Sequence, residues 1–207
     1  MEGQPQPSDN PHLKAKAALR SRIRAELKKM SAAARADASL QACSLLEQQP
    51  LWQKAHSILF YAPLPEELDI WKLLVDSLAA GKTVSLPRFV PEQNAYVACH
   101  IKDHLEDIRH GQFGIREPND SCSKISVNRL DLVLVPGVAF DLNGHRLGRG
   151  KGFYDQLLAV VQGPTCGIGF DQQLVREVPV EPHDVRLSCI LTPTRWQSVA
   201  GPRAVLK

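Results

Sequence analysis

Long apolar runs are missing from this sequence. No stretch approaches the ~18 apolar residues that a membrane-spanning helix requires, although 43% of the residues are hydrophobic. No membrane partner is therefore expected. Cysteine is sparse and dispersed: Cys43, Cys99, Cys122, Cys166 and Cys189 form no C-x-x-C pair. That odd set argues against a disulfide framework and a zinc knuckle, and suits a reducing, cytoplasmic location. Charge of one sign is also scarce, since 25 Lys and Arg against 22 Asp and Glu leave only +3, too little to suggest a nucleic-acid partner. No G-x-S-x-G elbow offers a serine nucleophile. His100 and His104 stand four apart without a third ligand nearby or the H-E-x-x-H pattern, and read as a solvated pair.

The charge that exists is concentrated. Lys14 to Lys29 holds seven cations against one acid, Glu26, so the remainder of the chain is net negative. Leu19, Ile23, Leu27 and Met30 recur at helical spacing, which places one stripe of this helix on the body of the protein. At ~100° per residue Lys16 and Arg20 fall beside that stripe, whereas Lys14 and Lys28 point away. Inward cations can snorkel over a core edge or meet an anion. A basic, acid-poor helix near the N-terminus also fits a mitochondrial presequence, but the inward-facing pair points elsewhere. The preceding MEGQPQPSDNPH is polar and proline-rich; residues 1–12 are expected to be a disordered tail and 13–207 a single domain, a length that buries roughly 70% of the unfolded surface.

Ser31 is positioned to cap a second helix carrying Leu40, Cys43, Leu45 and Leu46. SILFYAP (57–63) reads as a buried strand, Leu68 to Ala80 as a helix closed by Gly81, and TVSLPRF (83–89) as a second strand. AYVACHI and the stretch up to GQFGIREP read as a strand with an irregular excursion. In LDLVLVPGVAF the unbroken Leu-Val run suits the centre of a parallel sheet covered on both faces. A glycine-rich loop follows, then a helix from about Gly152 to Val161, then TCGIGF and SCILT as final strands. The alternation predicts an α/β fold, a three-layer αβα sandwich with a mostly parallel central sheet, Rossmann-like and of the isomerase/CoA-transferase kind.

The loop segment NGHRLGRGKGFYDQLL carries Gly144, Gly148, Gly150 and Gly152 with Arg146, Arg149 and Lys151. It leaves the carboxyl end of a central strand and opens a helix, where open α/β sheets bind ligands. Bare amides at Gly148, Gly150 and Gly152, the helix N-terminus and the three cations all favour an anion such as phosphate. A Walker A loop would need Gly at His145 and Ser or Thr at Gly152, and G-x-G-x-x-G from Gly148 would need Gly at Phe153; neither fits. A surface Ω-loop is the bland alternative. Asp155, in the helix's first turn, is an ordinary residue there, yet beside phosphates it calls for a divalent ion such as Mg²⁺. Asp184, in VEPHDVRL, is a second acid that could close the same site.

DLVLVPGVAFDLNGHRLGRGKGFYD resembles the signature of the 5-formyltetrahydrofolate cyclo-ligase family, and KAALR, YAPLPEELD, GKTVSLPRF, GIREP and VPVEPHDVRL resemble its other blocks in order. The resemblance implies a monomeric ATP- and Mg²⁺-dependent enzyme that closes 5-formyltetrahydrofolate, including polyglutamylated forms, to 5,10-methenyltetrahydrofolate with release of ADP and phosphate. It implies Arg149 and Lys151 as catalytic cations. Lys16, Arg20, Arg146, Leu147, Gly148, Arg149, Gly150, Lys151, Gly152, Phe153 and Tyr154 would contact ATP. Ala62, Glu67, Arg149 and Tyr154 would contact the folate, with Tyr61 lining the pocket, and Asp155 and Asp184 would hold the metal. Phe153 stands where the family commonly has tyrosine, and Ser188 where aspartate is frequent. Two other classes remain open: an RNA-binding module using the basic helix, although no Phe, Tyr or Trp lies between Leu13 and Met30 to stack on bases, and a sugar-phosphate or acyl-CoA enzyme with Glu67 as base or nucleophile.

Overall fold

The computed structural model describes residues 11–111, 114–181 and 184–199. Residues 1–10 of the expected tail, the last eight residues of the expected domain, and Gln112, Phe113, Pro182 and His183 within the quoted blocks lie outside them. Helix α1 (Pro11–Lys28) begins before the expected end of the tail, and its buried face is Lys16, Leu19, Ile23 and Leu27. Ser31 caps α2 (Ala32–Glu47), its hydroxyl accepting from the Ala34 N–H at 3.1 Å. Leu40 lies in this helix as expected, on its outer side, 59% exposed.

A short α3 (Pro50–Lys54) leads into β1 (Ser57–Leu59). Helix α4 (Trp71–Ala79) starts three residues after the predicted Leu68. The reason is local: the Leu68 carbonyl is taken by the Tyr61 hydroxyl at 2.7 Å, and the Asp69 carboxylate accepts the Trp71 N–H at 2.8 Å, which stops the helix from extending backwards. Strands β2 (Thr83–Val90) and β3 (Ala95–Ile101) form a long hairpin, so AYVACHI is regular. The excursion after it contains a small two-stranded sheet, β4 (Ile108–His110) with β5 (Arg116–Pro118).

The Leu-Val run is β6 (Leu132–Pro136). The segment read as one loop then divides. Its first part is a tight hairpin of β7 (Ala139–Phe140) and β8 (Arg146–Leu147), ahead of α5 (Phe153–Val160). The fully buried Asp141 holds this hairpin, accepting the N–H of Asn143 and His145 at 2.9 and 3.0 Å. Strands β9 (Thr165–Ile168) and β10 (Cys189–Thr192) match the expected final strands, and β11 (Arg195–Ser198) adds an unanticipated edge.

The central sheet has seven strands in the order β11-β10-β9-β6-β1-β2-β3. Its inner pairs are parallel, and only the edge pairs β10–β11 and β2–β3 are antiparallel. Along β6, Leu132 and Leu134 join a core with Leu19, Leu46 and Leu74 from α1, α2 and α4, while Val133 and Val135 join Leu157 and Leu158 of α5. Alternate side chains of a strand point to opposite faces. Both faces are covered by helices, which is why the run is apolar at every position. None of the described helices is long and apolar enough to cross a membrane.

Candidate active site

Chain order makes the cleft. From β1 the chain turns outward to β2, and from β6 it turns the opposite way to β9. Between the carboxyl ends of β1 and β6 lies the topological switch point of the sheet. A cleft of about 450 Å³ opens there, walled by Tyr61 and Ala62 after β1 and by Pro136 and Gly137 at the end of β6. β1 pairs with β2 only as far as Ser85, and Pro87, two residues beyond, also lines the cleft. A proline is tolerated where that ladder has ended.

The loop proper is Gly148–Gly152. Gly150 and Gly152 have φ of +103° and +70°, the left-handed region that side chains with a Cβ rarely adopt. Gly152 is the N-cap of α5 and supplies no side-chain bond, so amides of the first turn are left for a ligand. Beneath the loop, Arg20 Nε donates to the Gly148 carbonyl at 2.8 Å; burial lowers the pKa of that guanidinium. Lys16 Nζ donates to Glu181 and to Asp184, each at 2.7 Å. Burial pulls the Lys16 pKa down, but these two carboxylates outweigh it and leave it raised.

Arg146 on β8 is 7% exposed and pairs with the Asp155 carboxylate. Its Nη1 reaches the Pro136 carbonyl at 3.4 Å, while its Nε finds no partner among the described residues. Buried N–H groups are seldom left so. Across the cleft, Arg149 Nη2 donates to Glu67 at 2.9 Å and to Glu66 at 3.1 Å, tying the loop to the segment after β1. Glu67 also accepts the Leu64 N–H at 3.1 Å. Burial raises the Glu67 pKa even though Arg149 opposes it. For Arg149, burial is outweighed by the two acids, and its pKa is raised. Phe153 packs its ring 5.2 Å from Phe89 and 5.4 Å from Tyr96, and Tyr154 lies 5.9 Å from Tyr96. Burial raises the phenol pKa of Tyr61 and Tyr154.

The fold thus gathers Ala62, Glu67, Arg146, Gly148, Arg149, Lys151, Gly152, Phe153, Tyr154 and Asp155 around one cleft. Lys16, Arg20, Gly150 and Asp184 do not themselves line it; Arg20 lies close to Gly150 and feels the charge of both Asp155 and Asp184. Leu147 does not line the cleft: its side chain is 1% exposed in the core and its carbonyl accepts the Val138 N–H at 2.7 Å. No group of three His, Cys, Asp or Glu side chains suited to a metal occurs among the described residues. Mg²⁺ on a nucleotide needs only one or two carboxylates, the rest being phosphate oxygens and water. Asp155 lines the cleft with its side chain 26% exposed, so the donor set fits a phosphate-borne ion.

Sequence reasoning missed Arg24, Tyr96, Arg116 and Glu117, all of which line the cleft. Arg24 had a signal, since it follows Arg20 by four residues on the same helix. Arg116 and Glu117 lie in GIREP, a block that was recognised but given no role. Tyr96 had no local signal.

The sequence model of the 5-formyltetrahydrofolate cyclo-ligase family matches residues 12–193. The 5-formyltetrahydrofolate cyclo-ligase of Haemophilus influenzae is 32% identical to this chain over 186 residues, 83% of this chain and 96% of that protein. That of Mus musculus is 28% identical over 184 residues, 82% and 91% respectively. The NMR structure of Aquifex aeolicus 5,10-methenyltetrahydrofolate synthetase superposes with a TM-score of 0.81 at 29% identity, covering 92% of this chain and 95% of that one.

Proposed function

The chain is an enzyme of the 5-formyltetrahydrofolate cyclo-ligase family, and from that premise we propose that it uses ATP and Mg²⁺ to convert 5-formyltetrahydrofolate into 5,10-methenyltetrahydrofolate, ADP and phosphate. The chemistry explains the need for ATP. A formyl carbon on nitrogen is a poor electrophile, because amide resonance, whose rotational barrier is ~18–20 kcal/mol in peptides, feeds electrons into its carbonyl. Transfer of the γ-phosphoryl group to the formyl oxygen breaks the bond to ADP and gives an imidate phosphate. N10 then attacks the carbon and gives up its proton to water or the departing phosphate, the C–O bond breaks, and phosphate leaves in place of hydroxide.

This sequence asks the protein for positioning and charge neutralisation. Arg146, Arg149 and Lys151, with the amides of Gly148, Gly150 and Gly152, cradle the triphosphate, and Arg149 and Lys151 meet the charge that develops during transfer. The unpartnered Nε of Arg146 supports this role. Lys16 and Arg20 reinforce the loop from behind, and Phe153 and Tyr154 flank the nucleotide. Leu147 contributes by holding the β7–β8 hairpin. Asp155, with Asp184, would hold Mg²⁺, which when bound adds neutralisation of the phosphate oxygens. Glu67 accepts N–H groups of the pterin edge, with Ala62 and Tyr154 beside it.

The observation that carries this reading is the Glu67–Arg149 pair, which joins the folate wall to the phosphate loop across one cleft. Mixing the protein with 5-formyltetrahydrofolate and Mg-ATP should generate the methenyl chromophore, with no signal when ATP is omitted. Folded protein that yields no nucleotide-dependent absorbance would defeat the proposal.

A further inference from the structure

Four guanidinium groups line the cleft. Arg146 is paired with Asp155, Arg149 with Glu66 and Glu67, and Arg24 is exposed to solvent. Arg116 differs from all three. Its guanidinium carbon lies 3.6 Å from the centre of the Trp71 ring, and among the described residues no side-chain hydrogen bond or ion pair reaches it. It is half-buried, and burial lowers its pKa, with only the charge of Asp69 acting the other way.

A guanidinium held against an aromatic face keeps its five N–H bonds in its own plane, open at the edges. Those edges match a carboxylate bidentately, and such charge-assisted pairs are among the stronger hydrogen bonds. The neighbouring Glu117 does not compete for them. Its Oε1 accepts from Arg109 and its Oε2 from the Phe89 N–H, both at 3.3 Å, which fastens β5 to β2 and fixes where Arg116 stands.

We infer that Arg116, braced by Trp71, takes a carboxylate of the substrate's glutamate moiety and so determines specificity for folates over the same ring system without that tail. This rests on the cyclo-ligase reading, in which the substrate carries two carboxylates beyond its p-aminobenzoyl arm. The phosphate-loop cations are committed elsewhere, whereas Arg116 has its hydrogen-bonding edges open.

The test compares 5-formyltetrahydrofolate with 5-formyltetrahydropteroamide, which has the ring, the formyl group and N10 but an uncharged amide in place of the glutamate. Arg116→Gln should raise KM for the folate about 10- to 100-fold, the range of a lost charge-assisted hydrogen bond, with kcat little changed. KM for the pteroamide should stay at the wild-type value. Arg116→Lys, which keeps charge and stem but not the fork, should fall between and serves if the Gln variant folds poorly. An equal loss on both compounds makes Arg116 a wall residue and overturns the inference, as does no loss on either. A wild type that forms methenyl product from both compounds without preferring the folate refutes this assignment alone; one that forms none refutes the reading of the site as well.

Discussion

Replacing Glu67 by Gln removes one negative charge from a side chain that is 10% exposed and keeps its shape. Arg149 retains Glu66 at 3.1 Å and is itself 41% exposed, so water and a second acid cover most of what it loses. Burial raises the Glu67 pKa from 4.5 despite Arg149, which means that the ionised carboxylate is held less favourably in the fold than in water. The folded state therefore binds this proton more tightly than the unfolded chain, and wild-type stability falls as pH rises from the unfolded value near 4.5 through the raised folded value. The Gln variant lacks that slope. At pH 7 it should lie within about 1 kcal/mol of the wild type, on the more stable side, a Tm shift of no more than about 4 °C for a chain of this size. Activity should move the other way. A lost charged acceptor for substrate N–H groups is worth about 1.5–3 kcal/mol, roughly 10- to 150-fold in kcat/KM. Thermal melts between pH 4 and 8, run beside the methenyl absorbance assay, read both quantities. A fall in Tm above about 6 °C at pH 7 with turnover intact would refute the reasoning, because the pair would then be a structural brace.

Asp155→Ala should strand the Arg146 guanidinium, whose side chain is 4% exposed, and cost about 2–4 kcal/mol, below the full penalty for a broken buried pair because Asp155 keeps some water. Denaturant melts check that cost, and a Mg²⁺ titration of turnover should show a raised requirement; normal metal dependence would remove Asp155 from the metal role. Phe153→Tyr adds a hydroxyl to a half-buried ring between Phe89 and Tyr96 and should change stability by less than about 1.5 kcal/mol. A loss above ~3 kcal/mol in the same melts would show that the para position is closed by packing.

The spacing of Leu19, Ile23 and Leu27 already oriented α1 and turned Lys16 inward, and the unbroken Leu-Val run already marked β6 as central. The glycines and cations after it marked the loop that the fold brings to the cleft. These features were legible because helical period, strand burial and left-handed turns are set by a few neighbouring residues. The hairpin inside the loop was not legible, since Asp141 is held at its base by the Val178 N–H, which it accepts at 3.0 Å from 37 residues along the chain. Leu147 sits in the core because its pairing with Ala139 turns it there. Glu67 and Arg149 are 82 residues apart in the chain, and Arg116 meets Trp71 only because β5 is fastened to β2. Composition and pattern determined the α/β class and the glycine-rich, cationic strand-to-helix junction. Strand order and side-chain packing decided which charges face one another, because burial and long-range contact belong to the folded chain as a whole.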